Sequence, residues 1–437
     1  MLYDDTAYDP AIWPESYWRA STDGPDPCPA LEGTARADVA IIGSGYAGLN
    51  AALELVERFG LRVTVLEAAQ PGWGASGRNG GFCCLGGARL SAGAIARRLS
   101  AGAARDWAAY ERAAIARVAD NLACYGIDAR VSEPGDLYLA ASARDWARMR
   151  AEAGPDARVL DARGLREEGF DTAVYHGGIL GRGGFGLHPF AYVTGLARAA
   201  RQAGVVIHGD SRVIRVEPQG GGWALHTAQG RLEAGQVLVA TNGYSDERLT
   251  PWLGRRILPV ISNIMVTRPL SGAELQAQGW TRSVMAHDSR TLLHYFRLLP
   301  EGRMMFGARG GVSTAPEPVA RFARRARASF ETIFPRLAQA ETAYRWNGLI
   351  CLTGSRAPYI GPVPGADGLW LSLGWHGNGV AAASEGGRRA AGAMMGATGA
   401  LPALVRRAPA RFPVPRRLAL AGAMALAALR DGPVRPR

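Results

Sequence analysis

DVAIIGSGYAGLNAALELVERFGLRVTVLE, residues 38–67, contains a strand, a glycine turn, a helix and a second strand in succession. Asp38 to Ile42 is a short run of β-branched and small apolar residues, the composition of a strand buried on both faces of a parallel sheet. Gly43, Gly45 and Gly48 follow in the GxGxxG spacing. The first permits a tight turn, the second lets a pyrophosphate approach the backbone, and the third lets the helix close on the strand. Tyr46 to Phe59 reads as that helix, with Gly60 as its cap and the free N–H groups of its first turn aimed at phosphates. Arg62 to Leu66 is the second strand, and Glu67 stands 19 residues after Gly48. A carboxylate there accepts hydrogen bonds from an adenosine ribose and disfavours a 2′-phosphate. The unit alone specifies an adenine dinucleotide, equally NAD or FAD.

The chain has 437 residues, 48% of them apolar and 20% charged, enough for two globular domains. All 50 of its basic residues are arginine. Without lysine there is no Schiff-base amine, and no ammonium to help dioxygen accept an electron. The net charge of +12 suits an anionic partner, but the arginines alternate with acids and form no basic arm, so nucleic-acid binding is not expected. Five cysteines, at 28, 83, 84, 124 and 351, have neither disulfide-framework nor zinc spacing. With the acids in MLYDDTAYDP where a signal peptide needs a basic and then apolar segment, a reducing, cytoplasmic location is expected. Leu418 to Leu429 is apolar but too short to span a bilayer. Flanked by Arg416, Arg417 and Arg430, it reads as a packed terminal helix, with contact to a membrane surface as the other reading.

Residues 1–35 form an arm anchored by Trp13, Tyr17 and Trp18. A glycine-dense loop from Gly72 to Gly81 follows the opening unit, then helical periodicity from Ile95 to Tyr125 and a strand in GDLYLAAS. HPFAYVTGLARAARQAGVVIH, RVIRV (Arg212 to Val216) and a strand at Val237 to Thr241 return the chain to the nucleotide sheet. Residues 257–312 carry the strands of a mainly antiparallel sheet, followed by a helix from Pro318 to Ile333. The fold class is α/β with α+β character. A discontinuous Rossmann-like domain is expected over 36–95, 185–245 and 345–400, a substrate domain over 96–184 and 246–344, and a tail over 401–437.

ADVAIIGSGYAGL with VTVLE, GASGRNGGF, VLVATNGYSDE, SRAPYIGP and LGWHGNGVA, over about residues 16–400, resemble the FAD-dependent D-amino acid oxidase family. GASGRNGG and SRAPYIG are most similar to the branch that contains γ-glutamylputrescine oxidase. The resemblance implies an FAD enzyme that oxidises the C–N bond of an amine or amino acid (a γ-glutamylputrescine-like, D-amino or N-methyl amino acid) by hydride transfer to flavin N5. Electrons then pass to O2 or another acceptor. It also implies site residues. Gly43, Gly45 and Gly48, with Tyr46 and Ala47, hold the pyrophosphate, and Glu67 and Ala68 the ribose. Ala75, Ser76, Arg78, Asn79, Gly80 and Gly81 follow the flavin side, and Val213 meets adenine through its backbone. Thr241 and Asn242 complete the shell, with Gly374, Trp375, His376, Gly377, Asn378, Gly379 and Val380 along the isoalloxazine. A helix starting near Val380 also turns its positive end toward the glycine turn.

Tyr295, Arg297, Trp346, Arg356 and His376 are the candidate substrate-facing residues, an arginine being able to hold a carboxylate bidentately. The chain departs from its relatives in carrying Asn378 where they commonly have histidine. Cys351 is about three positions out of register with the cysteine that attaches flavin in some relatives, so FAD is expected to be non-covalent. No metal site is expected. The reading from a different class is a flavin-bearing component of an RNA-modifying or multi-subunit dehydrogenase system.

Overall fold

The computed structural model describes every residue except 1, 156, 398 and 400. The first of its two sheets is centred on Gly33–Ile42, which pairs in parallel with Val63–Leu66 on one side and Gly230–Val239 on the other. Val206–His208 and Ala366–Leu373 extend it in parallel, and Tyr359–Val363 closes an edge antiparallel. Alternate residues enter different cores. Val39, Ile41, Val63 and Val65 pack with residues of the helices Tyr46–Glu57 and Pro189–Gln202, whereas Ala40, Ile42 and Leu66 pack with Trp223 and Leu225. Burial on both faces is why these strands read as unbroken apolar runs. Helix Gly379–Met394 crosses Tyr46–Glu57 so closely that a Cβ on Gly387 would overlap the Ala47 carbonyl.

The second sheet runs Thr342–Thr353, Ile257–Thr267, Met304–Arg309, His294–Leu298, Met285–Asp288, Pro134–Leu139, Gly177–Gly186 and Phe82–Cys83 in spatial order. It is antiparallel except between Met285–Asp288 and Pro134–Leu139. Strand alternation divides its residues. Met265, Phe296, Leu298, Met304 and Phe306 face an outer core closed by Phe330 and Ile333 of helix Pro316–Ile333. Ser262, Ile264, Tyr295 and Arg309 face a cavity shared with the first sheet.

Several expected elements shift. The periodicity from Ile95 to Tyr125 resolves into two helices, Ala92–Arg98 and Ala101–Cys124, because Ser91 and Ser100 each cap a new start, accepting from the Ala94 and Ala103 amides at 3.2 and 3.0 Å. The strand expected at Arg212 begins at Arg215. Ahead of it, the Ser211 amide is bonded to the Glu67 carbonyl and Val213 lies on the cavity. The strand expected to reach Thr241 stops at Val239.

The two sheets also divide the chain differently from the expected domain bounds. Helix Ala101–Cys124, assigned to the substrate domain, packs on the nucleotide side, where Trp107, Tyr110 and Val118 join the core of Leu49 and the Tyr110 hydroxyl donates to the Ala382 carbonyl at 2.7 Å. Residues 345–353, assigned to the FAD domain, belong to an edge strand of the second sheet. The boundary at residue 400 lies outside the described residues. In the arm, Tyr17 and Trp18 are buried and Trp13 is half-buried, packing edge-on to Phe190. The terminal helix spans Arg416–Asp431, and no helix of the described residues is long and apolar enough to cross a membrane.

Candidate functional site

At one end of the cavity lies the glycine turn. Gly43 has φ +103°, and its amide bonds to the Leu66 carbonyl at 2.9 Å. A Cβ on Gly48 would overlap the Gly43 carbonyl, so Gly48 closes the helix onto the turn and does not itself line the cavity. Ser76 accepts the Tyr46 amide at 3.1 Å. The Ala47 and Gly48 amides, also in the first turn, have no preceding turn to bond to. The Glu67 carboxylate accepts from the Ser44 amide and hydroxyl, each at 2.8 Å, and from the Ala69 amide at 3.2 Å. It borders the cavity with Ala68 and Val213.

The loop from Gly72 to Gly81 forms the middle. Asn79 holds its curvature, its Nδ2 donating to the Ser76 carbonyl at 2.9 Å and its Oδ1 accepting the Gly81 amide at 2.8 Å. Arg78 donates from Nε to the Trp73 carbonyl at 2.6 Å and lies over the Trp73 ring, leaving a buried Nη2 with no partner. Ala75, Ser76, Arg78, Asn79 and Gly80 line the cavity. Gly81 does not, because it is pressed against the Leu187 carbonyl.

Two candidates for substrate contact lie outside the cavity lining and hold this loop instead. Arg297 is fully buried and donates to the Gly80 carbonyl at 3.1 Å and the Leu187 carbonyl at 2.6 Å. Burial lowers its pKa to about 10, still charged at neutral pH. Trp346 donates to the Arg78 carbonyl at 2.8 Å. Trp18 of the arm donates to the Asn79 carbonyl at 2.8 Å and packs against Trp346.

The glycine turn before helix Gly379–Met394 closes the far side. Trp375, Gly377, Asn378, Gly379 and Val380 line the cavity with Thr241 and Asn242. Gly374 sits behind, donating its amide to Asn242 Oδ1 at 2.9 Å. Asn378 donates to the Leu85 carbonyl at 2.8 Å, so the first-turn amides of the helix have no side-chain cap. His376 adopts φ +52° and turns from the cavity to Thr353, its Nε2 lying 3.2 Å from Oγ1. Burial, with Arg89 nearby, lowers its pKa to about 3, so the ring is neutral. Arg356 is exposed with φ +66° and is also absent from the lining. The expected substrate contacts of His376, Arg297, Trp346 and Arg356 thus do not match their placement. Tyr295 alone of the five lines the cavity.

Tyr295 pairs across the sheet with Gly307, where a Cβ would collide with its ring, and its hydroxyl lies 2.9 Å from that of Ser262. Burial raises the phenol to about 12 and keeps it protonated. Beside it stands Arg309, which the sequence reading missed. It is buried, its Nε and Nη1 have no partner, and a Cβ on Gly377 would strike its Nη2. His287, also missed, lies 3.2 Å from Asp136. Burial opposes protonation of that imidazole, but Asp136 outweighs it and the pKa rises above the usual histidine value.

Two open helix starts, a carboxylate at the turn and orphaned guanidinium N–H groups along one cavity fit a long, dianionic dinucleotide. Fold and cavity together define a dinucleotide-dependent oxidoreductase. The chain belongs to the FAD dependent oxidoreductase (DAO) family, whose pattern matches residues 38–393. It is 33% identical over 381 residues to a probable oxidoreductase OrdL of Rhizobium meliloti (strain 1021), covering 82% of this chain and 83% of the relative. It is 30% identical over 385 residues to gamma-glutamylputrescine oxidoreductase of Escherichia coli (strain K12), covering 85% and 87%. Among solved structures, glycine oxidase from Geobacillus kaustophilus superposes with a TM-score of 0.66 at 23% identity, covering 83% of this chain and 95% of that one.

Proposed function

We propose that this enzyme holds FAD non-covalently and oxidises the C–N bond of an amine that carries a carboxylate, with Arg309 as the carboxylate receptor. The observation that carries the reading is the buried, unpartnered guanidinium of Arg309 at the Tyr295 end of the cavity. A buried cation without a counter-ion is costly, and a substrate carboxylate supplies the missing partner bidentately. FAD bound along the glycine turns supplies the hydride acceptor. Tyr295, protonated and steadied by Ser262, offers a hydroxyl for orientation. Arg309, with no counter-ion beside it, places positive potential at this end, which disfavours an ammonium and favours the neutral amine from which hydride can leave.

γ-Glutamylputrescine, the compound named for the Escherichia coli relative, carries such a carboxylate, as do D-amino and N-methyl amino acids. Cys351 supports the non-covalent reading, because its neighbour Ile350 lines the cavity while Cys351 is buried elsewhere with its thiol raised to about 12. Cys84 does line the cavity, but burial keeps its thiol protonated. Five free cysteines favour a reducing, cytoplasmic setting.

Purified protein is expected to be yellow, to release its flavin on acid precipitation, and to bleach anaerobically with carboxylate-bearing amines at least tenfold faster than with their carboxylate-free analogues. Colourless protein that takes up no FAD, or bleaching indifferent to the carboxylate, refutes the reading. Reoxidation by air against reoxidation by a quinone then identifies the acceptor.

A further inference from the structure

We propose that helix Arg416–Asp431 docks flat on an anionic membrane surface. The helix is apolar on two opposite faces. Inward, Leu420 packs with Leu2, Tyr3 and Leu258, and Ala427, two turns further along the same face, is buried too. At 100° per residue, Leu418, Gly422, Ala425 and Leu429 form the opposite stripe, with Leu426 next to it. Leu418, Leu426 and Leu429 are 64%, 59% and 83% exposed. No charged residue lies between Arg417 and Arg430. An outer face in water has no reason to be uniformly apolar, so the face has a partner.

Charge selects that partner. Residues 401–437 contain eight arginines and one acid, a net +7 of the chain's +12. Among the described residues, only Arg416 of the eight is in an ion pair, with Glu247 at 2.9 Å. By the same helical geometry, Arg417 and Arg430 fall on opposite edges of the outer stripe, one at each end, where long side chains bury their stems and reach phosphates. Arg417 also stands in the first turn, where a cation opposes the helix dipole; within the protein its Nε donates to the Leu2 carbonyl at 3.4 Å, and among the described residues its charge has no acidic partner. Anionic lipid headgroups match both the apolar stripe and its cationic borders.

The helix is firmly attached. The Asp431 carboxylate accepts the Thr291 and Leu292 amides at 2.8 and 2.7 Å. The next residue, Leu293, lines the substrate end of the cavity and accepts the Arg309 amide at 3.3 Å. The docked helix would therefore lie between the lipid surface and the segment that borders the substrate site.

Full-length holoprotein is expected to co-sediment with phosphatidylcholine vesicles that contain phosphatidylglycerol, to ignore pure phosphatidylcholine, and to dissociate as salt rises. Leu418→Glu with Leu429→Glu is expected to weaken vesicle binding at least tenfold. Arg417→Gln with Arg430→Gln is expected to weaken it about fivefold per arginine. Both leucines are exposed, and unchanged flavin content and thermal midpoint report that these variants remain folded. Absence of vesicle binding at low salt, or binding that survives both leucine substitutions, overturns the proposal. So does a self-associated holoprotein that the leucine pair converts to monomer while vesicles are ignored, an outcome that gives the face to a second copy of the chain.

Discussion

Replacing Arg309 with Met tests the substrate assignment through two quantities that are expected to separate. The Arg309 side chain is buried with Nε and Nη1 unpaired, and Met retains much of its apolar stem while removing the charge. A charge-assisted hydrogen bond contributes about 1.5–3 kcal/mol. Losing one or two of them to a carboxylate lowers kcat/KM by roughly tenfold to on the order of ten-thousandfold, at about 1.4 kcal/mol per factor of ten. Substrates without a carboxylate escape that loss. The folded protein loses no internal hydrogen bond from Nε or Nη1 and sheds a desolvated cation, so its thermal midpoint is expected to stay level or rise. The assay is anaerobic flavin bleaching by stopped flow with matched amines, with and without the acid, alongside thermal unfolding. Equal loss on both amines would assign Arg309 to the flavin, and the measured reduction potential would move with it. A marked fall in thermal midpoint would assign it to the fold. Either result refutes the carboxylate-receptor argument.

Arg297→Met is expected to behave oppositely. It orphans the Gly80 and Leu187 carbonyls, costs roughly 2–6 kcal/mol of stability at about 1–3 per unsatisfied group, and loosens flavin while leaving substrate preference intact; denaturant unfolding and preference ratios check this. Glu67→Ala removes the acceptor of the Ser44 amide and hydroxyl, so the ratio of flavin to protein after gel filtration is expected to fall, and an unchanged ratio would remove the ribose assignment. His188 and His376 both have pKa values lowered from 6.5 to about 3, chiefly by burial. Between those values the unfolded chain binds protons that the folded chain refuses, so stability is full above about 6.5 and is lost as pH falls toward 3. The thermal midpoint is expected to drop across that window and His188→Gln to flatten the drop; a midpoint independent of pH there would contradict it.

The nucleotide half of the cavity was legible because its determinants are local. A glycine at φ +103°, a second glycine pressed onto its carbonyl and an acid at the end of the next strand all lie within residues 38–67. The turn before helix Gly379–Met394 was legible for the same reason, although not the direction of His376, whose φ of +52° swings the ring to Thr353. The helix break at Ser100 and the placement of helix Ala101–Cys124 were not, because periodicity reports an apolar face and not which sheet it meets.

The substrate end depends on register between strands distant in sequence, and Arg297 and Arg309 show why that hides function. Both are arginines in neighbouring antiparallel strands, both are buried, and both lie on the inward side of the second sheet. Arg297 is paired with Met305 across the sheet and reaches the Gly80 and Leu187 carbonyls, so its charge is held by acceptors inside the protein. Arg309 lies beyond the Tyr295–Gly307 pair, next to the glycine turn, where no carbonyl or carboxylate meets its Nε or Nη1. Side-chain type and strand parity treat the two alike. What separates them is the set of acceptors each meets, which only the assembled sheets determine, and a charge left without an acceptor in a cavity marks where the ligand supplies one.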